Sequence, residues 1–165
     1  MAPDPSQAAE ASRVSLAIIT HPGQANAFGT IHGGVVLRLA DECGAIAALR
    51  HAGSKGITTA AIDSMTFLGP ILVGERVELI AEVTYVGRTS IEARIEVHAE
   101  PLTRGGRRKV GVGYGLYVAL DESGKPCPVP PLRSETEADV RRDQAARARQ
   151  AVRLARRDEA RREPV

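Results

Sequence analysis

The sequence predicts an α+β domain: one long helix placed early, then a curled antiparallel sheet covering it, with an Arg-rich helix appended at the C-terminus. Three observations support this. Apolar or small residues Val36, Leu39, Ala40, Cys43 and Ala47 recur at spacings of three and four, the period of a helix with one packed face. Residues 57–120 then read as strands joined by short turns. No second helix separates those strands, which disfavours βαβ crossovers and a doubly wound sheet.

VSLAIIT at 14–20 is β-branched and apolar and predicts a first strand. HPGQANAFGT at 21–30 is punctuated by Pro-Gly, Asn and Gly and reads as a loop. The helix is expected from Gly33 to about Arg50, with Gly53 or Gly56 as C-cap. Gly44 inside it implies a close approach, expected to be that of another backbone, because glycine costs about 1 kcal/mol against alanine in a helix. The sheet should begin with ITTAAIDSMTFLG at 57–69. ERVELIAEVTYVG comes next, with Val77, Leu79, Ala81, Val83 and Tyr85 on one side. In TSIEARIEVHAE, Ile91, Ala93, Ile95 and Val97 alternate with Glu92, Arg94, Glu96 and His98, which predicts one wet face. Turns are expected at Gly87-Arg88 and at Gly105-Gly106. In the last strand Gly111, Gly113 and Gly115 share a face. A helix or second sheet must come close there.

Residues 1–13 are expected to be a flexible arm, 14–132 the folded domain, and 133–165 a charged helical extension. Ser134 and Glu137 have capping-box spacing. The stripe of Val140, Ala148, Val152 and Ala155 is thin, so this helix is expected to be mostly solvated, or laid on a neighbouring subunit. Seven acids lie among its arginines, and the net charge of the chain is only +2. Nucleic acid is therefore not an expected partner. Cys43 and Cys127 lack disulfide-framework or zinc spacing, and Cys43 is expected to be a buried thiol. There is no signal-peptide pattern and no apolar run long enough to span a bilayer. The expectation is a cytoplasmic protein without a membrane partner.

The stretch NAFGTIHGGVVLRLADECG at 26–44 carries the chemistry. Gly33 and Gly34 sit where a loop becomes a helix, and the first N–H groups of a helix lack internal partners. They serve ordinary capping, or they hold and polarise a ligand carbonyl oxygen. Asp41 lies eight residues on, about 12 Å along the helix. A carboxylate on the packed side must be hydrogen-bonded or functional. Asp41 and Gly33 of one chain cannot serve one carbonyl across that distance. If both act together they come from different chains of an antiparallel dimer, which would also cover the open sheet.

The motif N-x-x-G-T-I-H-G-G followed by Asp41-Glu42 resembles the signature of hotdog-fold acyl-CoA thioesterases, in particular the broad-specificity cytosolic acyl-CoA hydrolases of bacteria and animal brain. TTAAIDSMTFLGPILVGERVEL, YVGRTSIEARIEV and YVALDESGKPCPVP resemble further segments of that family in the same order. The likeness covers about residues 14–132 and leaves out the arm and the Arg-rich tail. It implies a central helix wrapped by the sheet, acyl-CoA as substrate, no cofactor, and dimers that assemble into tetramers or hexamers. It implies Asp41 as catalytic carboxylate, Asn26 as the residue placing water and thioester, and Gly33 and Gly34 as donors to the thioester oxygen. It places Arg88, Thr89 and Ser90 on a turn that contacts CoA. Glu75 stands where the family has Asp.

Other residues keep two readings. His32 fixes its loop or contacts substrate. Thr59, Asp63 and Ser64 make structural hydrogen bonds or contact substrate. Arg104, Arg107 and Arg108 bind CoA phosphate, as arginine forks can, or keep an exposed turn soluble. Met65, Phe67 and Leu68 are candidates for an acyl pocket. No His, Cys and Asp spacing suggests a metal. Asp41 is expected to act as general base on a water or as nucleophile. Two other functions fit the pattern less well: an enoyl-CoA hydratase or dehydratase using His32 with Asp41, and a non-catalytic acyl-CoA sensor.

Overall fold

Residues 7–54, 56–103, 105–133, 136–160 and 162 are described by this computed structural model. The chain runs β1 (Gln7–Ala8), β2 (Val14–Ile19), α1 (Gly33–Ala52), β3 (Gly56–Phe67), β4 (Arg76–Val86), β5 (Ser90–Glu100), β6 (Arg108–Leu120), β7 (Leu132–Arg133) and α2 (Glu137–Ala160). Five strands form one antiparallel sheet in the order β2-β4-β5-β6-β3. The expected arm is, over its described part, a short parallel pairing of β1 with β7 and a 3-10 turn. Ser12 of that turn is buried and accepts the N–H of Val83 at 2.9 Å.

The predicted helix stripe is the buried one: Val36, Leu39, Ala40, Cys43 and Ala47 all face the sheet. The C-cap is Gly53, whose φ of 56° is left-handed and cheap only for glycine. Gly56 already belongs to β3. Cys43 is fully buried, and burial pushes its thiol up to about 11, so it is an inert packing group.

The glycines of β6 have a different cause from the one expected. Tyr117 is fully buried between sheet and α1. A Cβ at Gly115 would lie 2.5 Å from its hydroxyl oxygen, and one at Gly44 only 2.2 Å. A phenol ring, not a second backbone, fills the space those two glycines vacate. Its hydroxyl donates to the Asp41 carbonyl at 3.2 Å. At Gly113 a Cβ would instead meet the Ser64 carbonyl oxygen at 2.7 Å.

Further expectations are corrected. β4 has an extra residue at Thr84, because Val83 faces Ala93 while Tyr85 faces Glu92. A one-residue bulge reverses the facing of every residue beyond it, so Tyr85 leaves the core side and lies under Arg147, 5.6 Å from its ring centre. The outer face of β5 is not wet throughout. Glu92 is fully buried there, because α2 lies on its own sheet. Arg149 and Arg153 both bond Glu92, and Arg142 bonds Glu82 at 2.5 Å. The expected apolar stripe does not dock this helix: Val140 and Val152 stay half-exposed, and Ala146 is its buried residue. Its cap is Thr136 with Asp139, at 2.8 and 3.1 Å. Ser134 of the predicted capping box lies outside the described residues.

The Gly44–Tyr117 contact sets the height of α1 above the sheet. Replacing Gly44 by Ala should destabilise the domain by about 1–3 kcal/mol, because overpacking outweighs the gain in helix propensity. Urea denaturation reads this directly; a neutral or stabilising Gly44→Ala would contradict the packing.

Candidate active site

Asp41 is on the turn of α1 that crosses β3. Thr59 Oγ1 donates to its Oδ1 at 2.8 Å. Among the described residues this is the side chain that holds the carboxylate. The group is half-buried, whereas Glu42 points to solvent and pairs with Arg38 at 2.6 Å. Thr59 thus holds one oxygen of Asp41, and the other takes no side-chain hydrogen bond among the described residues. Tyr117, bonded to the backbone of Asp41, fixes the helix turn beneath it.

Asn26 builds its own loop. Its Oδ1 accepts the N–H groups of Phe28 at 2.9 Å and Thr30 at 3.2 Å, and its Nδ2 donates to Thr30 Oγ1 at 2.9 Å. The loop holds Phe28 at its tip, 91% exposed. His32 is the N-cap of α1, and its Nδ1 accepts the Gly34 N–H at 2.9 Å. Gly34's donor is thereby engaged. Gly33 faces Phe67, whose ring edge would lie 3.3 Å from a Cβ there. Beside it is an open cavity of about 450 Å³, lined by Ile31, Gly33, Val36, Phe67, Leu68, Gly69, Pro70 and Ile71. Met65 is not part of that lining.

The strand register separates these groups. Thr59 faces Tyr117, which faces Ile91. Phe67 faces Gly111, which faces Val97. Asp41 therefore sits toward the β4–β5 hairpin, and Gly33 toward the opposite end of the sheet. One chain does not bring them together. Asp63 and Ser64 are apart from both. They line a second cavity of about 360 Å³ under α2 with Arg149, Arg153 and Arg156. Burial, opposed by Arg153, raises the Asp63 carboxyl above its ordinary range.

Most of the basic candidates have acidic partners in the chain. Arg108 grips Glu75 through both terminal nitrogens at 2.7 Å and donates to the Pro70 carbonyl at 2.9 Å. Arg107 bonds Glu78 at 2.8 Å. Arg104 lies outside the described residues. Arg88 is different: it is exposed on the hairpin at the Asp41 end, and its side chain has no ion pair among the described residues. Thr89 and Ser90 share that hairpin, where Ser90 accepts the Gly87 N–H at 2.8 Å through its carbonyl. Among the described residues no three His, Cys, Asp or Glu side chains are grouped for a metal, and no helix is long and apolar enough to cross a membrane.

A family model, the thioesterase superfamily, matches residues 28–105. A hexameric acyl-CoA thioesterase is 40% identical and superposes with a TM-score of 0.86, over 92% of this chain and 96% of that one. The chain belongs to the thioesterase superfamily. Its other relatives agree. The acyl-CoA hydrolase of Staphylococcus aureus, solved with butyryl coenzyme A and coenzyme A, is 30% identical over 94% of both chains, with a TM-score of 0.86. Variants of that enzyme with one Asp, one Thr or one Asn replaced by Ala match with TM-scores of 0.87, 0.87 and 0.88. The acyl-CoA thioester hydrolase YciA of Salmonella typhimurium is 38% identical over 120 residues, 70% of this chain and 88% of that one. The hotdog fold expected from the sequence is the fold observed.

Four residues that shape this thioesterase were not legible as such. Tyr117 had one signal: it shares its strand face with the three glycines. Glu92 and Arg153 had none, because their contact joins distant segments. Glu75 stood out only as a departure at a turn. It accepts the Leu72 N–H at 2.8 Å as well as the Arg108 fork, and so shapes the loop lining the Gly33 cavity. The Arg108 hydrogen bonds foremost hold the Glu75 carboxyl below its ordinary value of 4.5. Stability from this depressed carboxylate is present above that ordinary value and is lost as pH falls through the lower folded one. Arg108→Met should therefore cost about 1–2 kcal/mol at neutral pH, and the loss should shrink on acidification. Denaturation midpoints of the two proteins across pH check this; a loss that grows with acid would contradict it.

Proposed function

We propose that this protein hydrolyses acyl-CoA thioesters, releasing CoA and a carboxylic acid, with Asp41 as the general base. The observation that carries the proposal is the Asp41–Thr59 pair. A mid-helix carboxylate has little structural use on a face otherwise packed with Ala, Cys and Gly. Thr59 takes one of its oxygens and leaves the other to accept a proton from water. The leaving thiolate needs no strong acid, since simple thiols have a pKa of about 8.5. The relatives named as acyl-CoA hydrolases support the substrate class.

The thioester oxygen is taken by backbone donors at the start of a partner subunit's α1, around Gly33 and Gly34. Carbonyl binding at Gly34 requires His32 to release that N–H. Asn26 holds the preceding loop, and its second Nδ2 hydrogen can orient water. Arg88 receives a CoA phosphate at the hairpin nearest Asp41, while the paired Arg107 and Arg108 stabilise the fold. The oligomer is at least a dimer, in keeping with neighbours described as hexameric. A hydratase pair of His32 and Asp41 would also have to come from two chains, and His32 is engaged as the cap of its own helix, with Nδ1 accepting the Gly34 N–H. A mere sensor would leave bound acyl-CoA intact overnight.

Asp41→Asn keeps the size of the side chain and removes the base. We expect kcat for thiol release from acyl-CoA to fall at least about 100-fold, with oligomer and acyl-CoA binding retained. Normal turnover in Asp41→Asn would remove Asp41 from the mechanism.

A further inference from the structure

β3 is an edge strand, paired within the chain to β6 alone. It is also irregular where it passes Asp41. Thr59 faces Tyr117 and Ala61 faces Leu116, so Ala60 is an extra residue. Ile62 faces Gly115 and Ser64 faces Tyr114, so Asp63 is a second extra residue. Extra residues drop out of the ladder, and their side chains are re-aimed. The strand carrying Thr59 thus has two interruptions just beyond it. Left alone, the residues at those bulges are not fixed by the ladder.

Asp63 is not left alone. Its Oδ2 lies 2.9 Å from Arg153 Nε as an ion pair rather than an aligned hydrogen bond, and both side chains are nearly buried, at 13% and 9% exposure. Arg153 also grips Glu92, which is fully buried. Glu92 is anchored in turn by Arg149 at 2.7 Å and by Thr84 Oγ1 at 2.7 Å. Arg149 stacks over the Tyr114 ring, 3.8 Å from its centre. Thr84 is the extra residue of β4. One arginine of α2 therefore ties the bulge of β3 to a centre that also holds the bulge of β4. Arg156 of α2 adds a further positive charge facing Asp63.

We infer that Arg153 is a positioning residue for the Thr59–Asp41 pair, acting through Asp63 and the bulged segment between them. The C-terminal helix, which meets none of the reacting atoms, would then hold the catalytic strand in register from its outer face. The inference rests on the proposed roles of Asp41 as base and Thr59 as its partner.

The test is a double-variant comparison on the full-length oligomer. Arg153→Met should lower kcat about tenfold, the scale of a sub-ångström misplacement, with KM within about twofold of wild type. Thr59→Ala removes the group through which the effect passes. Adding Arg153→Met to Thr59→Ala should then cost less than about twofold more. An equal loss in both backgrounds, or no loss in either, would overturn the inference. If Arg153→Met does not fold, Asp63→Asn replaces it, because it leaves Arg149 and Arg153 on Glu92. Amide hydrogen exchange over residues 59–64 supplies an independent reading. Asp63→Asn should speed it at least about fivefold, and unchanged exchange would sink the clasp. Should wild type release no thiol at all, the catalytic reading falls, and the exchange result alone decides whether the clasp holds the strand.

Discussion

Everything proposed for this protein hangs on one rigid helix and its seat. α1 carries the carboxylate of Asp41 and the donors at Gly33 and Gly34 at a spacing no side-chain motion alters. Its height above the sheet is set by Tyr117, which fits only because Gly44 and Gly115 lack side chains. The same phenol bonds the backbone of Asp41. Packing and chemistry are coupled there: the contact that seats the helix also presents its carboxylate to Thr59. On the proposed roles, the fixed spacing makes the single chain half a site twice over, with the base at one end and the oxygen donors at the other.

Charge obeys a similar division. An Arg-rich sequence suggests a protein built to collect phosphates, yet most of its guanidinium groups are engaged internally. Arg108 secures the loop beside the Gly33 cavity, Arg107 and Arg76 pair with Glu78, and Arg149 and Arg153 neutralise the buried Glu92. Glu96 shows the strength of such networks: burial alone would raise it, but Lys109, Arg94 and His98 together hold it down at about 2. Arg88, on the hairpin at the Asp41 end of the sheet, is exposed and has no ion pair among the described residues.

The architecture was legible because it is written in local periods. The stripe of α1, the alternation in β5 and the two glycine turns each depend on neighbours a few residues apart. The features that the sequence concealed came from bulges and from tertiary ionic contacts. The extra residue at Thr84 turned Tyr85 outward, which no alternation pattern announces. α2 looked solvated because its apolar stripe is thin. It docks through arginines onto Glu92, and those arginines lie more than fifty residues from it in sequence. Asp41 could be singled out from a carboxylate on a packed face, and Thr59 as a residue for a structural hydrogen bond or substrate contact, but which of the adjacent Thr58 and Thr59 meets Asp41 is not written in the sequence. Their strand facing decides it.

The two-chain site is the claim most exposed to experiment. Subunits carrying Asp41→Asn are mixed with subunits carrying Gly33→Val, each inactive alone, and exchange is verified. A side chain at Gly33 crowds Phe67 and the donors beside it. A heterodimer then holds one site with both lesions and one with neither, so thiol release should return to about half the wild-type rate per dimer. Verified heterodimers that remain inactive would show that Asp41 and Gly33 do not act on one thioester across the interface.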